Sequence, residues 1–193
     1  MIAERMLAAH ALILDRPAEE QQQRLAVVQE AMCWLRTPYH HRARVMGAGV
    51  DCGMLLTEVY EGAGVTPHVE PAEYPADWML HRSEERFLGI VETYAQKVDA
   101  PLPGDIALFR WGRCISHGSI VVAWPEIVHA YIHAGEVVLD DAVANQELAE
   151  RLVGFWSPWA KGWDEVPADT LGMIQPGEMV VPAWLAKHLS EGA

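Results

Sequence analysis

Three residues of this chain have side chains that could together perform nucleophilic chemistry: Cys52, His117 and His129. Cys52 follows a glycine-containing loop and opens an apolar segment with helical periodicity, which predicts a thiol at a helix N-terminus. Unpaired backbone N–H groups and the helix dipole favour a thiolate there, so we expect a pKa below the ~8.5 of a free thiol. A nearby imidazole can take the thiol proton, and a second polar residue can fix its tautomer. The order cysteine, histidine, histidine is therefore typical of a thiol hydrolase.

The elements that must position these residues change type along the chain. Helical periodicity predicts helices at 1–14, 17–36, 51–62 and 83–98, with an irregular loop over 65–82. Short β-rich runs follow at 106–110, 117–124, 126–132, 136–139 and 151–156. Helices followed by strands indicate an α+β domain with an antiparallel sheet. We therefore expect a helix carrying Cys52 to pack against strands that carry His117 and His129.

Composition and charge exclude several classes of protein. A chain of 193 residues with 51% hydrophobic residues can bury a core, which excludes general disorder. The net charge of −13 (14 − 27) argues against affinity for nucleic acid or for an anionic membrane surface. No apolar run approaches the ~20 residues of a membrane-spanning helix. The first residues lack the basic region and cleavage site of a signal peptide, which predicts a protein made in the cytoplasm.

The three cysteines are expected to differ in role. Cys33, Cys52 and Cys114 are odd in number and have unrelated spacings, so they do not form a disulfide framework. Cys33 lies in an apolar helical stripe and is predicted to be an inert core residue, and Cys114 is predicted to be structural. Limiting iodoacetamide at pH 6.5 is then expected to label Cys52 first.

A zinc site is an alternative use of the same histidines. Cys114 and His117 are three positions apart, and His129 and His133 are four apart, both tolerable spacings for zinc ligands. Such a site would leave Cys52 without a role, and His133 falls at a predicted turn. We therefore predict no metal and no cofactor.

Besides Cys52, His117 and His129, two groups of residues are candidates for binding substrate. The basic run over 40–44, which includes Arg42 and Arg44, is either solvated loop charge or a positive rim that attracts a carboxylate-bearing substrate. Most of the eight tryptophans are expected to pack in the protein. Trp78 and Trp111, in loop-like stretches, are the two candidates for contact with substrate.

Five pieces of the sequence, in order, resemble the NlpC-type cysteine peptidases, a papain-like family that mostly cuts peptide cross-links and stems of bacterial peptidoglycan. The pieces are Thr37-Pro38-Tyr39, Val50-Asp51-Cys52, Pro103-Gly104-Asp105-Ile106-Ala107-Leu108-Phe109, Ser116-His117-Gly118 and Val128-His129-Ala130. They fall within about 23–157, and the separation of the two histidines also resembles that of the family. The resemblance implies a papain-like α+β core in which a helix layer packs on an antiparallel sheet.

The resemblance also implies a role for each matching residue. Cys52 would be the nucleophile, His117 the general base and acid, and His129 the residue that orients His117. Tyr39 would help the Cys52 backbone N–H to hold the tetrahedral oxyanion. The family has Ser-Gly after the nucleophile, whereas this chain has Gly53 and Met54, a departure that bears on substrate contacts. The predicted substrate-binding residues are Asp51, Gly53, Arg42, Arg44 and Trp111.

The expected organisation is a helical extension over 1–22, a peptidase domain over 23–159 and an arm of unknown role over 160–193. The expected reaction is hydrolysis of amide bonds in peptidoglycan stem peptides. The Tyr39-His40-His41 sequence looks most like the branch found in phage tails and prophage-like tail modules, so other tail proteins are expected partners. Two alternatives stay open: a catalytically silent tail-assembly adaptor on the same fold, and a thiol acyltransferase.

Overall fold

The computed structural model describes residues 2–69 and 86–161. The helices are α1 (Ile2–Ala11), α2 (Ala18–Cys33), α3 (Cys52–Gly62), α4 (Arg86–Tyr94), α5 (Gln146–Ala149) and α6 (Pro158–Lys161). The strands are β1 (Arg44–Val45), β2 (Gly49–Val50), β3 (Gln96–Val98), β4 (Ile106–Trp111), β5 (Cys114–Ala123), β6 (Glu126–Tyr131), β7 (Glu136–Asp141) and β8 (Leu152–Ser157). Trp78, most of the predicted loop over 65–82 and nearly all of the arm over 160–193 lie outside the described residues.

Six strands form one sheet in the order β3-β8-β4-β5-β6-β7, and each neighbouring pair is antiparallel. The helices α2 and α3 pack on its central strands. β1 and β2 form a separate two-stranded hairpin directly before α3. The prediction of an α+β core, with a helix layer on an antiparallel sheet, is confirmed. None of the described helices is both long and apolar enough to cross a membrane.

The helix α3 begins at Cys52 because Asp51 caps it. The Asp51 side chain accepts a hydrogen bond from the backbone N–H of Met54 at 2.9 Å, which satisfies one of the open donors of the first turn. Leu55 and Val59, four positions apart on one face of the helix, are both fully buried. Capping therefore fixes where the helix starts, and burial of this stripe fixes which side of it faces the sheet.

The sheet is buried on both faces, and alternate residues of its strands enter two separate apolar clusters. Leu108 of β4 and Ile120 of β5 pack with α2 and α3 in the larger cluster. Phe109 of β4 and Val121 of β5 pack in a smaller cluster with Leu148 of α5. This double burial explains why all ten residues of β5 are buried. It also means that a polar side chain on β5 or β6 lies in a dry environment.

Three details of the chain differ from expectation. α2 ends at Cys33 rather than near 36, because the N–H of Arg36 pairs with the Val137 carbonyl at 2.9 Å and draws the chain to β7. The end of the predicted helix over 83–98 is the edge strand β3, which pairs with β8.

Cys33 is exposed, so its prediction as a core residue is wrong. The predicted boundary between 22 and 23 falls inside α2, and the division into domains stays a prediction.

A buried ion pair joins α2 to the turn before β4. Arg24, 2% exposed, donates to Asp105 and to the Pro103 carbonyl, both at 2.9 Å. We expect Arg24→Ala to lower the free energy of unfolding by about 3–5 kcal/mol, because it would leave the Asp105 carboxylate buried without its cation. Chemical denaturation measures this. The exposed Arg16→Ala is the control, expected to change stability by less than about 0.5 kcal/mol, and an equal effect of both variants would contradict the argument.

Candidate active site

The thiol of Cys52 lies between the first turn of α3 and the strand β5. Its S–H donates to the carbonyl oxygen of Ser116, with 3.7 Å between sulfur and oxygen. Backbone N–H groups of Gly118, Gly53 and Cys52 itself also point at the sulfur. The thiol therefore contacts the backbone on both sides of His117, and N–H donors surround the atom that would attack a carbonyl.

Burial nevertheless dominates the protonation of this thiol. Removal from water, with the nearby Asp51 carboxylate as a second cause, raises the pKa of the Cys52 thiol to about 12. The backbone N–H groups act in the opposite direction but are outweighed. The prediction of a lowered pKa is wrong, because it counted the helix terminus and not the packing of α3 on the sheet. Cys52 is a neutral thiol at neutral pH.

His117 and His129 form a buried hydrogen-bonded pair on neighbouring strands. Nε2 of His117 lies 2.8 Å from Nδ1 of His129. His117 is 8% exposed and His129 is fully buried. Burial, and secondarily the proximity of His129, lowers the pKa of His117 well below its usual range. His117 is therefore a neutral imidazole near pH 7. Its Nε2 is used in the bond to His129, so Nδ1 is the ring nitrogen that could accept a proton.

A glycine on β5 leaves room for a side chain of α3. A Cβ atom at Gly118 would lie 2.7 Å from Cδ1 of Leu56, so a larger residue there would displace the Leu56 side chain. Within the described residues the thiol bonds to Ser116 and the His117 imidazole to His129, and no hydrogen bond joins thiol to imidazole directly. Such bonds commonly tighten only when substrate is bound. The structure thus sets the Cys52 thiol against the backbone that carries His117, without a hydrogen bond between the thiol and the imidazole.

Tyr39 reaches the same region from the segment before α3. Its N–H donates to the Gly135 carbonyl at 2.7 Å, and it forms a bridge with Val50 of β2. Burial is the larger cause that raises the pKa of the Tyr39 phenol, and the neighbouring Cys52 and Asp51 act in the same direction. The phenol therefore stays protonated near the thiol and can donate a hydrogen bond.

Of the residues predicted to bind substrate, Asp51 is 2% exposed and has its own structural partners. One of its carboxylate oxygens accepts from Met54 and the other from the backbone N–H of Arg42 at 2.7 Å. Arg44 pairs with Glu58 of α3 at 2.6 Å, which draws its charge toward that helix. The Arg42 side chain is exposed. Substrate contact by these three residues stays a prediction.

Of two further residues predicted to bind substrate, Gly53 lies beside the thiol and Trp111 lies beside His117. Gly53 is half-buried in the first turn of α3, and its backbone N–H points at the Cys52 sulfur. The Trp111 ring packs edge-on against His117, with 5.0 Å between ring centroids. Arg151 lies over the same indole at 5.2 Å. Trp111 therefore borders the base, and its contact with substrate stays a prediction.

The residues of the zinc alternative do not form a metal site. Cys114 is buried at the start of β5, whereas the His133 side chain is 60% exposed and lies 3.6 Å from Glu147. Among the described residues, no three His, Cys, Asp or Glu side chains are grouped as metal ligands. The contact between His117 and His129 is a hydrogen bond between two rings.

Sequence reasoning missed Asp140, which lies behind His129. Oδ2 of Asp140 is 3.6 Å from Nε2 of His129, on the side of the ring opposite to His117. The signal in the sequence is weak, because Asp140 comes directly after the predicted β-rich run over 136–139, and the face on which it lies depends on the pairing register. That register sets His129 opposite Val138, which leaves Asp140 diagonally across from the histidine.

Fold comparison with solved structures gives NlpC/P60 proteins. NlpC2 from Trichomonas vaginalis has a TM-score of 0.50 at 15% identity, covering 75% of this chain and 50% of that chain. A Staphylococcus aureus NLP/P60 protein described as similar to lipoprotein gives 0.50 at 17%, covering 70% and 41%. A Bacillus cereus NlpC/P60 protein gives 0.50 at 16%, covering 68% and 39%. No family model and no curated protein matches the sequence.

The six-stranded antiparallel sheet and its helix layer form a papain-like α+β core. More particularly, the fold is similar to that of the NlpC/P60 structures, although the chain spans only half or less of the three proteins compared. At a sequence identity of 15–17%, the comparison supports a similar fold but says nothing about a shared activity. What the site does must therefore be argued from its own residues.

The protonation of the thiols predicts the order of their alkylation. With limiting iodoacetamide at pH 7.5, we expect Cys33 to react before Cys52 and Cys114 to react last. Cys33 is exposed, Cys52 is held as a thiol by a pKa of about 12, and Cys114 is fully buried. Peptide mapping by mass spectrometry measures the order. Preferential labelling of Cys52 at pH 6.5 would instead indicate a thiolate–imidazolium pair at rest.

Proposed function

We propose that this protein is a cysteine peptidase that hydrolyses amide bonds in the stem peptides of peptidoglycan. One observation carries the proposal: the Cys52 thiol, at the N-terminus of α3, contacts the backbone on both sides of His117, whose imidazole bonds to His129 at 2.8 Å. A nucleophile, a base and a residue that orients the base are thus held by three packed elements. The likeness of fold to NlpC/P60 structures and the sequence resemblance to NlpC-type peptidases support the same class.

The proposed reaction starts from neutral groups. As Cys52 sulfur attacks the amide carbonyl, its proton moves to Nδ1 of His117, so thiolate forms only during attack. The backbone N–H of Cys52 and the Tyr39 phenol stabilise the oxyanion. The His117 imidazolium then protonates the leaving amine, which leaves a thioester on Cys52. His117 next takes a proton from water, the hydroxide cleaves the thioester, and the thiol is regenerated. No step uses a cofactor.

The substrate class and setting are finer parts of the proposal. Stem peptides carry free carboxylates, and the exposed Arg42 side chain, on the loop whose backbone binds Asp51, could meet one. The Trp111 ring packs against the proposed base, His117, and could also pack against the peptide. The Tyr39-His40-His41 sequence, which resembles the phage-tail branch, supports a tail-associated enzyme with other tail proteins as partners.

Digestion of purified sacculi and of defined muropeptides tests this proposal. Under reducing conditions we expect new amino groups to appear and the mass of stem peptides to fall at one bond. The glycan strand should stay intact, because the proposed nucleophile is a thiol, whereas glycoside hydrolysis uses a pair of carboxylates. Release of reducing sugars, or no release of amines, would overturn it.

A catalytically silent adaptor on the same fold is the second candidate. One observation favours it: the thiol is held protonated and is not hydrogen-bonded to the His117 ring. An adaptor would bind its partners equally well with Cys52 replaced and would turn over no muropeptide. The digestion experiment therefore separates the two candidates directly.

A further inference from the structure

The buried ring of His129 has one nitrogen with a partner and one without. Nδ1 faces His117, whereas Nε2 is fully buried and has no hydrogen-bond partner among the described residues. The Tyr131 ring stacks on the imidazole, with 4.8 Å between centroids and 21° between planes, which limits rotation of the His129 ring. A buried polar atom in this position needs a partner, because it cannot reach water. The charged group beside this nitrogen is the Asp140 carboxylate, whose Oδ2 lies 3.6 Å from Nε2 of His129.

Asp140 is held in place to serve as that partner. Its Oδ1 accepts from the backbone N–H of Asp141 at 2.8 Å, and its Oδ2 accepts from Nδ2 of Asn145 at 2.7 Å. Asn145 is itself fixed as the N-cap of α5. The contact with His129 and the bond from Asn145 lower the pKa of the Asp140 carboxyl, so the group is ionised and can only accept hydrogen bonds. A closure of about half an ångström would give an ordinary hydrogen bond to His129.

A carboxylate at this position decides where each histidine carries its proton. Because the Asp140 carboxylate can only accept a hydrogen bond, it favours the His129 tautomer with hydrogen on Nε2, whose Nδ1 has a lone pair. That lone pair accepts from Nε2–H of His117, which leaves Nδ1 of His117 unprotonated. Without the carboxylate, His129 can carry its hydrogen on Nδ1 and donate it to Nε2 of His117. The hydrogen of His117 then lies on Nδ1, which is the nitrogen that has to act as the base.

We infer that Asp140 is a positioning residue, which fixes the tautomer of His129 and thereby keeps Nδ1 of His117 free to accept the Cys52 proton. The rate effect rests on the proposed peptidase function, whereas the tautomer effect does not. The four groups lie on neighbouring elements: Cys52 on α3, His117 on β5, His129 on β6 and Asp140 on β7. In the proton transfer, hydrogen leaves Sγ for Nδ1 of His117, and the resulting imidazolium keeps its Nε2–H on His129.

Tautomers can be measured directly in the full chain labelled with ¹⁵N-histidine, by long-range ¹H–¹⁵N correlation near pH 7.5. In the wild type we expect both His117 and His129 as Nε2–H forms. In Asp140→Ala we expect His129 to move to the Nδ1–H form and His117 to follow. If Asp140→Ala does not fold, Asp140→Asn, which keeps one acceptor oxygen, should show a partial shift of the same kind.

Kinetics on the muropeptide substrate give the second readout. We expect Asp140→Ala to lower kcat about 10–100-fold with KM within about twofold, as for other groups that orient a functional histidine, and Asp140→Asn to fall between it and the wild type. Asp141→Asn is the matched control: it removes one charge from the same strand, keeps an acceptor for the Val143 and Ala144 N–H groups, and should change neither tautomer nor kcat.

The two readouts separate the two proposals. Wild-type His129 in the Nδ1–H form, or tautomers unchanged in a folded Asp140→Ala variant, would overturn the role of Asp140 whatever the activity. A wild type that turns over no muropeptide but shows the expected tautomer shift would overturn the peptidase and leave the positioning role supported.

Discussion

Cys52→Ala is expected to abolish the release of amines from muropeptides, with a fall in kcat/KM of about 10⁴-fold or more. The reason is that the proposed reaction passes through a thioester, and no other described cysteine can form it. Cys114 is fully buried, and Cys33 lies at the opposite end of the helix layer on the last turn of α2. Mass spectrometry of a timed digest, with enzyme in excess to expose residual turnover, measures the loss.

Cys33→Ala is the matched control, because it makes the same chemical change at an exposed site away from β5. It should keep activity within about twofold of the wild type. The melting temperatures of both variants should stay close to that of the parent, so that a loss of turnover is assigned to chemistry. Turnover that survives in Cys52→Ala would exclude the thioester route, and equal inactivity of all three proteins would favour the adaptor.

Much of the fold follows from local patterns that a sequence displays. The stripe of Leu55 and Val59 and the cap at Asp51 define α3, since a helix needs an apolar face and a start. Alternation of apolar residues and turn signals define the central strands for the same reason. Cysteine and histidine at the predicted ends of these elements then indicate where a site could form. These features are encoded within ten or so neighbouring residues.

The remaining features depend on contacts between distant parts of the chain. The pKa of Cys52 is raised by burial of the thiol between α3 and β5, two elements that are far apart in the sequence. The role of Asp140 depends on the register between β6 and β7. β3 forms because an edge of the sheet is available to its backbone, which overrides the helical pattern of its sequence. None of these is visible in a local window.

A neutral thiol also changes what the proposed reaction requires of the fold. A resting thiolate–imidazolium pair would store the nucleophile as thiolate, whereas in the proposed reaction His117 takes the proton during attack. The direction of the lone pair of His117 would then affect the rate, and so would the groups that set it. In this proposal His129 orients the His117 ring, whereas His117 itself accepts the proton.

His117→Ala is expected to lower kcat/KM by about 10³-fold or more, whereas His129→Asn should lose only about 10–100-fold. Removing His117 leaves a thiol with a pKa of about 12 and no base, so almost no thiolate can form near pH 7. An Asn side chain in place of His129 can still accept the Nε2–H of His117 through its amide oxygen and hold the imidazole. Timed digests of a defined muropeptide at saturating and limiting concentrations give both constants.

The pH dependence of kcat/KM separates the orienting role of His129 from a merely structural one. In the wild type the lowered pKa of His117 keeps the base neutral below pH 6.5, so the acid limb should lie below that value. Burial is the larger cause of this shift and remains in His129→Asn, but the smaller contribution from the neighbouring imidazole is lost. The acid limb should therefore move to higher pH in His129→Asn. The fully buried His129 ring also packs between Tyr131 and His117, so its loss could act through packing alone. In that case the acid limb would stay in place while activity and the melting temperature fall.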